Sequence, residues 1–527
     1  MKKIGLFLVF LMLTPPLFAQ EKPKLVVGVV ISHFYPEWLQ RYEQSLSEGG
    51  FRRLMCEGAS LAMNYNYFYT QTGVDHASIY TGMLPSEHGI ISRAWYDRLR
   101  KNRQYAVVSQ KHTEVGGNRF ENASGLSPDP LHTISLGSAM KMNDASSKVF
   151  SIAMNGDEAV LSGGNGADLA LWFSEKTGKW VSSSYYLPQL PVWLERFNWE
   201  VESDFFVSTG WIPLESEVTM VSRARSRLGL SGGFFYDIAR AKKEFNTYRV
   251  LKATPHANTL VRSLAERLIV EEHLGQDHVP DLLALNFSCL DYMYRDFTVD
   301  SEEARDVFLR LDRDLELLFF HLDGKVGREN YTVFLTFSEM RELLPEDLKK
   351  VKMDAHYFNV AQAVALLKSY MGLAYGSGDW IVDFDQGQIY LNRDLVEQKG
   401  YNLKDMQERI ANFLIEFEGI SRVMTASSLV QTAYPAGVNQ WIQNSFYHKR
   451  SGDILFCLHP TWVSELNEVG DMYFRHSKRP IVPLFLYGAG IPSGLKGEHE
   501  MSDLLPTLCR ILNIPVPYMV RGKSMLP

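Results

Sequence analysis

The sequence predicts an α/β protein, a three-layer α/β/α sandwich built on a mainly parallel sheet. Two observations lead to this class: short apolar runs bounded by turn residues, and amphipathic stretches between them. Apolar runs without a polar face are typical of strands that are buried on both sides of a parallel sheet. Strands that alternate with helices place helices on both faces of such a sheet.

Four apolar runs rich in β-branched and aromatic residues predict core strands. They lie at residues 25–31, 281–287, 331–337 and 483–487. Apolar residues at three- and four-residue spacing predict helices at residues 258–273 and 301–322. In open parallel sheets, ligands bind beyond the carboxyl ends of the strands. We therefore expect Ser32 and His33, residues 288–295, and Ser338 and Glu339 to meet in one crevice.

Two regions interrupt the alternating pattern. Residues at about 165–250 are aromatic-rich and irregular, and residues at about 346–450 have a small α/β pattern of their own, with a predicted helix at 403–417. We interpret both as insertions that cap the functional edge of the sheet. Separate domains are the alternative, which the return of a core strand at 483–487 disfavours.

The first residues have the features of an export signal. Lys2 and Lys3 precede an apolar run at 4–13, and Ala19 ends the segment before the chain becomes charged. This order is typical of a secretory signal peptide, which we place at residues 1–20. The run is shorter than the roughly 20 residues that span a bilayer. We predict a periplasmic or secreted protein of the Gram-negative type, with an uncleaved anchor as the alternative.

Charge and cysteine content exclude two classes of function. The formal net charge is −7 and there is no long basic patch, so nucleic acid is not an expected partner. The four cysteines show no C-x-x-C spacing, which excludes a zinc knuckle. Buried free thiols and a disulfide both remain open for them.

Several segments resemble the phosphate-irrepressible alkaline phosphatases, a branch of the nucleotide pyrophosphatase/phosphodiesterase group. The segments are LVVGVVI at 25–31, TGVDHASIYTGMLPSEHGI at 72–90, WYD at 95–97, LDYMYRDF at 290–297, IYLNRDL at 389–395, KRSGDILF at 449–456 and VPLFLYGAGI at 482–491. They follow in the family's order along nearly the whole chain. The resemblance implies a sandwich of alkaline phosphatase type, with an in-line attack by a threonine hydroxyl between two zinc ions.

The resemblance also implies which positions carry the chemistry. The nucleophile position is Thr72, and Asp291 is the one carboxylate ligand that is kept. Ser32 and Ser338 stand where the family has metal-binding aspartates. Arg295, Glu339 and Ile481 replace family histidines, and only the glutamate among them could bind a metal.

The family's phosphate clamp is altered as well. Arg93 stands in place of a phosphate-binding asparagine, and Asn155-Gly156-Asp157 replaces a Lys-x-Arg sequence, so Asp157 would repel phosphate. Arg93 and Arg295 are therefore candidates to neutralise the remaining carboxylates or to hold an anion. His76 belongs to the Thr-Gly-x-x-His segment, and we interpret it as structural.

Three residues near this centre have competing interpretations. Thr72 is either a relic nucleophile or the residue that caps the following helix, and we favour the cap. Asp291 is either a relic ligand or the ion-pair partner of Arg295. His33 is either a substitute ligand beside the lost aspartate or turned away from the metal position, and alternation along an extended segment favours the second.

We predict an exported pseudoenzyme with a binding, scaffold or regulatory role. No cofactor is expected, although the family uses two zinc ions. The partner is unknown, with another envelope protein as one candidate. The alternative is an active phosphomonoesterase or phosphodiesterase with an altered metal site around Thr72, Asp291 and Glu339.

Overall fold

The structure is a computed structural model. It describes residues 22–117, 124–200, 202–214, 235–294, 296–338, 344–465, 481–492 and 494–527. The predicted signal peptide at 1–20 lies outside the described residues, as do Arg295 and Glu339. No helix in the described part of the chain is long and apolar enough to cross a membrane.

The described strands run in chain order as follows: β1 Leu25–Ser32, β2 Ala59–Asn64, β3 Ala94–Asp97, β4 Asn102–Tyr105, β5 Val108–Val115, β6 Ser124–Leu126, β7 Val149–Ala153, β8 Leu169–Phe173, β9 Trp180–Ser183, β10 Asp281–Phe287, β11 Tyr331–Ser338, β12 His356–Phe358, β13 Ile381–Asp385, β14 Gln388–Leu391, β15 Ile420–Thr425, β16 Ile454–Leu458, β17 Trp462–Ser464, β18 Ile481–Gly488 and β19 Glu498–Glu500.

The described α-helices are α1 Glu37–Arg41, α2 Phe51–Glu57, α3 Thr72–Thr81, α4 Pro85–His88, α5 Leu136–Asn143, α6 Gly156–Gly163, α7 Val192–Trp199, α8 Glu202–Thr209, α9 Ile238–Phe245, α10 Arg249–Lys252, α11 His256–Glu271, α12 Cys289–Met293, α13 Glu302–Lys325, α14 Pro345–Lys350, α15 Val360–Tyr375, α16 Arg393–Gln398, α17 Leu403–Leu414, α18 Ala426–Gln431, α19 Val438–Asn444 and α20 Leu504–Leu512.

The central sheet has the strand order β19-β2-β18-β11-β1-β10-β7-β8-β9-β5-β6. Its middle, from β11 to β8, is parallel, which confirms the predicted α/β class. Every residue of β1, β10 and β11 is buried, because helices cover both faces of these strands. The four predicted core strands are present with bounds that differ from the prediction by no more than two residues.

The direction of β18 was not predictable from its composition. Its apolar run resembles the parallel strands, but β18 pairs antiparallel with both β11 and β2. Strand direction depends on how the preceding connection returns to the sheet, and that is a property of the whole fold rather than of the run.

The segment at about 346–450, predicted as a cap, contains most of a second sheet. Its strand order is β13-β14-β16-β15, and its own apolar core draws on residues from Phe358 to Leu458. The segment at about 165–250 is different, because β8 and β9 within it are strands of the central sheet. Among the described residues of this segment, only the part after β9 lies outside the central sheet.

Candidate functional site

The carboxyl ends of β1 and β11 lie side by side and end on two serines. Ser32 is in register with Ser338, and both side chains are fully buried. The hydroxyl of Ser338 donates to the hydroxyl of Ser32 at 3.2 Å. The strand ends that were predicted to line one crevice therefore meet, and at this point they present a buried pair of neutral hydroxyl groups.

Asn286, the penultimate residue of β10, extends this pair. Its Nδ2 donates to Ser32 Oγ at 3.2 Å and lies 2.7 Å from His76 Nε2. His76 Nδ1 lies 2.7 Å from Ser162 Oγ. We call Ser32, Asn286, Ser338, His76 and Ser162 the strand-end network.

The strand-end network carries no charge near neutral pH. Burial lowers the pKa of His76 to about 3, so its imidazole is neutral. A neutral ring that accepts from Asn286 carries its proton on Nδ1 and donates it to Ser162. His76 thus has the structural position that the sequence predicted, because it links α3 to α6 and to the end of β10.

Two buried oxygens near the strand ends have no hydrogen-bond partner within the described residues. They are Asn286 Oδ1 and Ser288 Oγ, and both residues are essentially inaccessible to solvent. Orphaned buried acceptors are uncommon in native proteins and mark a place for water or a ligand atom. Both groups are neutral.

Thr72 is the first residue of α3, as the Thr-Gly start predicted. The capping prediction is wrong, because the residue at the N-cap is Gln71, in an extended conformation and without a side-chain cap bond. Gln71 instead accepts the backbone N–H of Arg93 at 3.0 Å through its side-chain Oε1. Thr72 therefore stands one position inside the helix.

His33 contradicts the prediction that it turns away from the centre. Its φ of 55° takes it out of the extended conformation, so the alternation of β1 ends at Ser32. His33 Nε2 comes to 3.3 Å from Asp291 Oδ1, where both side chains are partly exposed. Asp291, which lies in α12, thus has His33 as a partner, and its predicted pairing with Arg295 stays a prediction.

Arg93 faces the carboxylate of Asp157. Its Nε is 3.8 Å from Asp157 Oδ2, with the arginine side chain 75% exposed and the aspartate side chain 19% exposed. The charge of Asp157 is the main reason that the pKa of Arg93 is raised, and Asp291 adds to it more weakly. The two altered positions of the phosphate clamp are therefore paired with each other.

A buried polar cluster behind Asp157 was missed in the sequence. Lys252 Nζ donates to Asn155 Oδ1 at 3.0 Å and pairs with Glu175 at 2.8 Å. Asn155 Nδ2 in turn donates to Glu158 Oε1 at 2.8 Å. Burial and the nearby Asp157 raise the pKa of Glu158 well above its usual value. No motif or spacing in the sequence signals these contacts, because they join residues of α6, α10 and the turn after β8.

The chain aligns with alkaline phosphatases over nearly its full length. It is 29% identical over 523 residues to alkaline phosphatase PafA of Elizabethkingia meningoseptica, which covers 96% of this chain and 94% of that protein. It is 30% identical over 517 residues to a Myroides odoratus protein named calcium-transporting ATPase, covering 94% and 93% of the two chains. The crystal structure of wild-type PafA superimposes with a TM-score of 0.88 at 27% identity, covering 95% of this chain and 98% of that one.

These relatives overturn one prediction. The expectation of no cofactor rested on the replaced side chains alone and is wrong. Alkaline phosphatases PafA and PhoV match nearly the whole chain, and the alkaline phosphatase type is the one to which the resemblance assigns two zinc ions. A metal centre is thus what the family leads one to expect.

The side chains that the structure describes do not fit the family's two-zinc centre. They contain no group of three or more His, Cys, Asp or Glu that could hold a metal ion. Ser32, Asn286 and Ser338 offer neutral oxygens, whereas zinc takes thiolate, imidazole and carboxylate ligands. The arrangement can hold water or a small polar group, and we derive no chemical step through a metal.

A profile of the family "Type I phosphodiesterase / nucleotide pyrophosphatase" matches residues 26–479, which is most of the chain. This match agrees with the sheet, the strand-end crevice and the position of Thr72 at the start of α3. The chain belongs to the type I phosphodiesterase/nucleotide pyrophosphatase family and has the alkaline phosphatase fold.

Proposed function

We propose that this protein is an exported pseudo-phosphatase, a family member that binds or regulates without hydrolysing phosphate esters. The observation that carries the proposal is the buried pair of Ser32 and Ser338 at the ends of β1 and β11. The resemblance assigns metal-binding aspartates to both positions. We place the mature protein in the periplasm or outside the cell.

The physical reason concerns the activation of Thr72. A threonine hydroxyl attacks phosphorus only when a metal or a base lowers its pKa. Serine hydroxyls neither lower that pKa nor hold zinc with the strength of carboxylates. Ser338 donates to Ser32, and Ser32 also accepts from Asn286, so both hydroxyls are already engaged in hydrogen bonds within the fold.

The charges of the side chains that a substrate would meet support the same proposal. A phosphate clamp presents cations, whereas Arg93 here faces Asp157, and Asp291 lies on the same crevice beside His33. Lys252 is buried and already paired with Glu175. Among the described side chains, a doubly charged phosphate ester would therefore meet carboxylates as well as Arg93.

The alternative is an active phosphoric ester hydrolase with an altered metal site around Thr72, Asp291 and Glu339. It is favoured by the names of the relatives and by the position of Thr72 at the start of α3. Its third residue lies outside the described part of the chain.

A turnover assay separates the two functions. The purified mature chain is given phosphate monoesters and diesters with added zinc, and wild type is compared with Thr72→Ala and Thr72→Ser. The proposal expects all three proteins to match the uncatalysed rate. Turnover that Thr72→Ala abolishes and Thr72→Ser retains would establish the hydrolase. The binding role is tested with a panel of anions and sugars. We expect at least one of these compounds to raise the melting temperature of the protein as its concentration increases.

A further inference from the structure

Two helices of the central domain begin next to each other at the crevice. α3 starts at Thr72 and has ten residues, and α6 starts at Gly156 and has eight. The two helices pack against each other. The first turn of a helix carries unsatisfied N–H groups and a partial positive charge, so two adjoining first turns favour an anion between them.

The chain places its own carboxylate at this point. Asp157 is in the first turn of α6. A Cβ added to Gly73 in the first turn of α3 would lie 3.6 Å from Asp157 Oδ2. The same oxygen is 3.8 Å from Arg93 Nε. One carboxylate thus lies at the start of α6, close to the start of α3 and beside Arg93.

The neighbouring groups fix Asp157 in this position. Asp157 and Leu161 both lie against the first turn of α3, where an added Cβ on Gly73 would be in ordinary contact with them at 3.6 and 3.4 Å. Arg93 is anchored through its backbone N–H on Gln71, the residue before α3. The aspartate side chain is only 19% exposed, so it is largely covered rather than free in solvent.

We infer that Asp157 is a tethered anion that occupies the phosphate-binding position of this crevice and decides which ligands the crevice accepts. The inference rests on the proposed function, because it assigns the crevice a binding role and makes Asp157 its specificity-determining residue. The negative charge of Asp157 lies beside the two helix starts and Arg93, so it lowers the affinity of this position for free phosphate.

Removing that charge should open an anion site. Two like charges about 4 Å apart near a protein surface repel each other strongly enough to change affinity by more than tenfold. Asp157→Asn keeps the shape of the side chain and removes the charge. It also releases Arg93, whose guanidinium suits the geometry of phosphate.

The test is calorimetric titration of the full mature chain with inorganic phosphate at constant ionic strength. We expect Asp157→Asn to bind at least about tenfold more tightly than wild type. The double variant Asp157→Asn/Arg93→Gln should lose the gain. Asp129→Asn, an exposed aspartate on the loop before α5, is the matched control and should behave as wild type.

Two results would overturn the inference: equal phosphate affinity in wild type and in folded Asp157→Asn, or a gain that survives Arg93→Gln. Asp157→Ser is titrated beside them, so that misfolding of one variant, seen by circular dichroism, does not decide the outcome. Failure of the proposed function is a separate observation, since that shows as Thr72-dependent turnover in wild type.

Discussion

Two buried regions of this protein satisfy their polar groups in opposite ways, one with neutral side chains and the other with charged side chains. The strand-end network at the crevice uses neutral hydroxyl, amide and imidazole groups. The joint between β3 and the second sheet uses charge, because the fully buried Asp453 lies 3.2 Å from Arg98 and 2.6 Å from Arg393. We call Asp453, Arg98 and Arg393 the cap joint.

The difference shows where a buried carboxylate can persist. At the cap joint, two guanidinium groups and the backbone N–H of Leu391 satisfy Asp453. No described cation contacts Ser32 or Ser338, so an aspartate at either position would be buried without a partner unless a metal ion were bound. Serine removes that cost, and under the proposed function it also removes a group that would help to activate Thr72.

Breaking the cap joint should give the largest effect. Removing one partner of a buried ion pair leaves uncompensated charge and costs about 3–5 kcal/mol. We expect Asp453→Ala to lower the free energy of unfolding by that amount in urea titrations. Asp394→Ala is the control, since its pair with Lys101 is 71% exposed on the aspartate side and is worth only about 0–1 kcal/mol. Equal losses for the two variants would contradict the account of the cap joint.

Placing a carboxylate in the strand-end network should be the next largest effect. Burial raises a carboxyl pKa by up to about 3–5 units, so Ser338→Asp should be destabilised by about 3 kcal/mol at neutral pH. The folded pKa would be raised, so the loss should vanish as the pH falls below about 4. Urea titrations at several pH values measure this, with Ser338→Ala, expected to lose about 1 kcal/mol, as the control. A pH-independent loss in Ser338→Asp would refute the unpaired-charge explanation.

Acid should weaken the strand-end network through His76. The pKa of His76 is lowered by burial from 6.5 to about 3, so the unfolded chain binds its proton first. Stability from this group is complete above pH 6.5 and falls by about 1.4 kcal/mol per pH unit between 6.5 and 3. His88, buried with the same lowered pKa, should add an equal slope. His76→Gln should reduce the dependence of the unfolding free energy on pH between 3 and 6.5. An unchanged dependence would mean that His76 is already protonated in the folded protein.

Much of the fold could be predicted because its signals are local. The apolar runs of β1, β10 and β11 reflect burial on both faces, and the observed bounds follow those runs closely. The antiparallel direction of β18 and the membership of β8 and β9 in the central sheet could not be predicted, since both depend on contacts between distant segments.

The site was predictable in its members but less so in its contacts. The strand ends brought Ser32 and Ser338 together as expected. His33 was misjudged because one positive φ ended the alternation of β1. Thr72 was misjudged because a helix start fixes the N-cap only to within a residue. The contacts of Asn286 depend on a buried network that no spacing in the sequence reveals.

The most direct test of the central claim asks whether Thr72 ever becomes a nucleophile. The mature chain is incubated with a phosphate ester and zinc, quenched in acid, and its peptides are analysed by mass spectrometry, with Thr72→Ala as the blank. The account predicts an unmodified Thr72 peptide and a hydrolysis rate equal to that of the blank. A phosphoryl group on Thr72, together with turnover that the blank lacks, would contradict it.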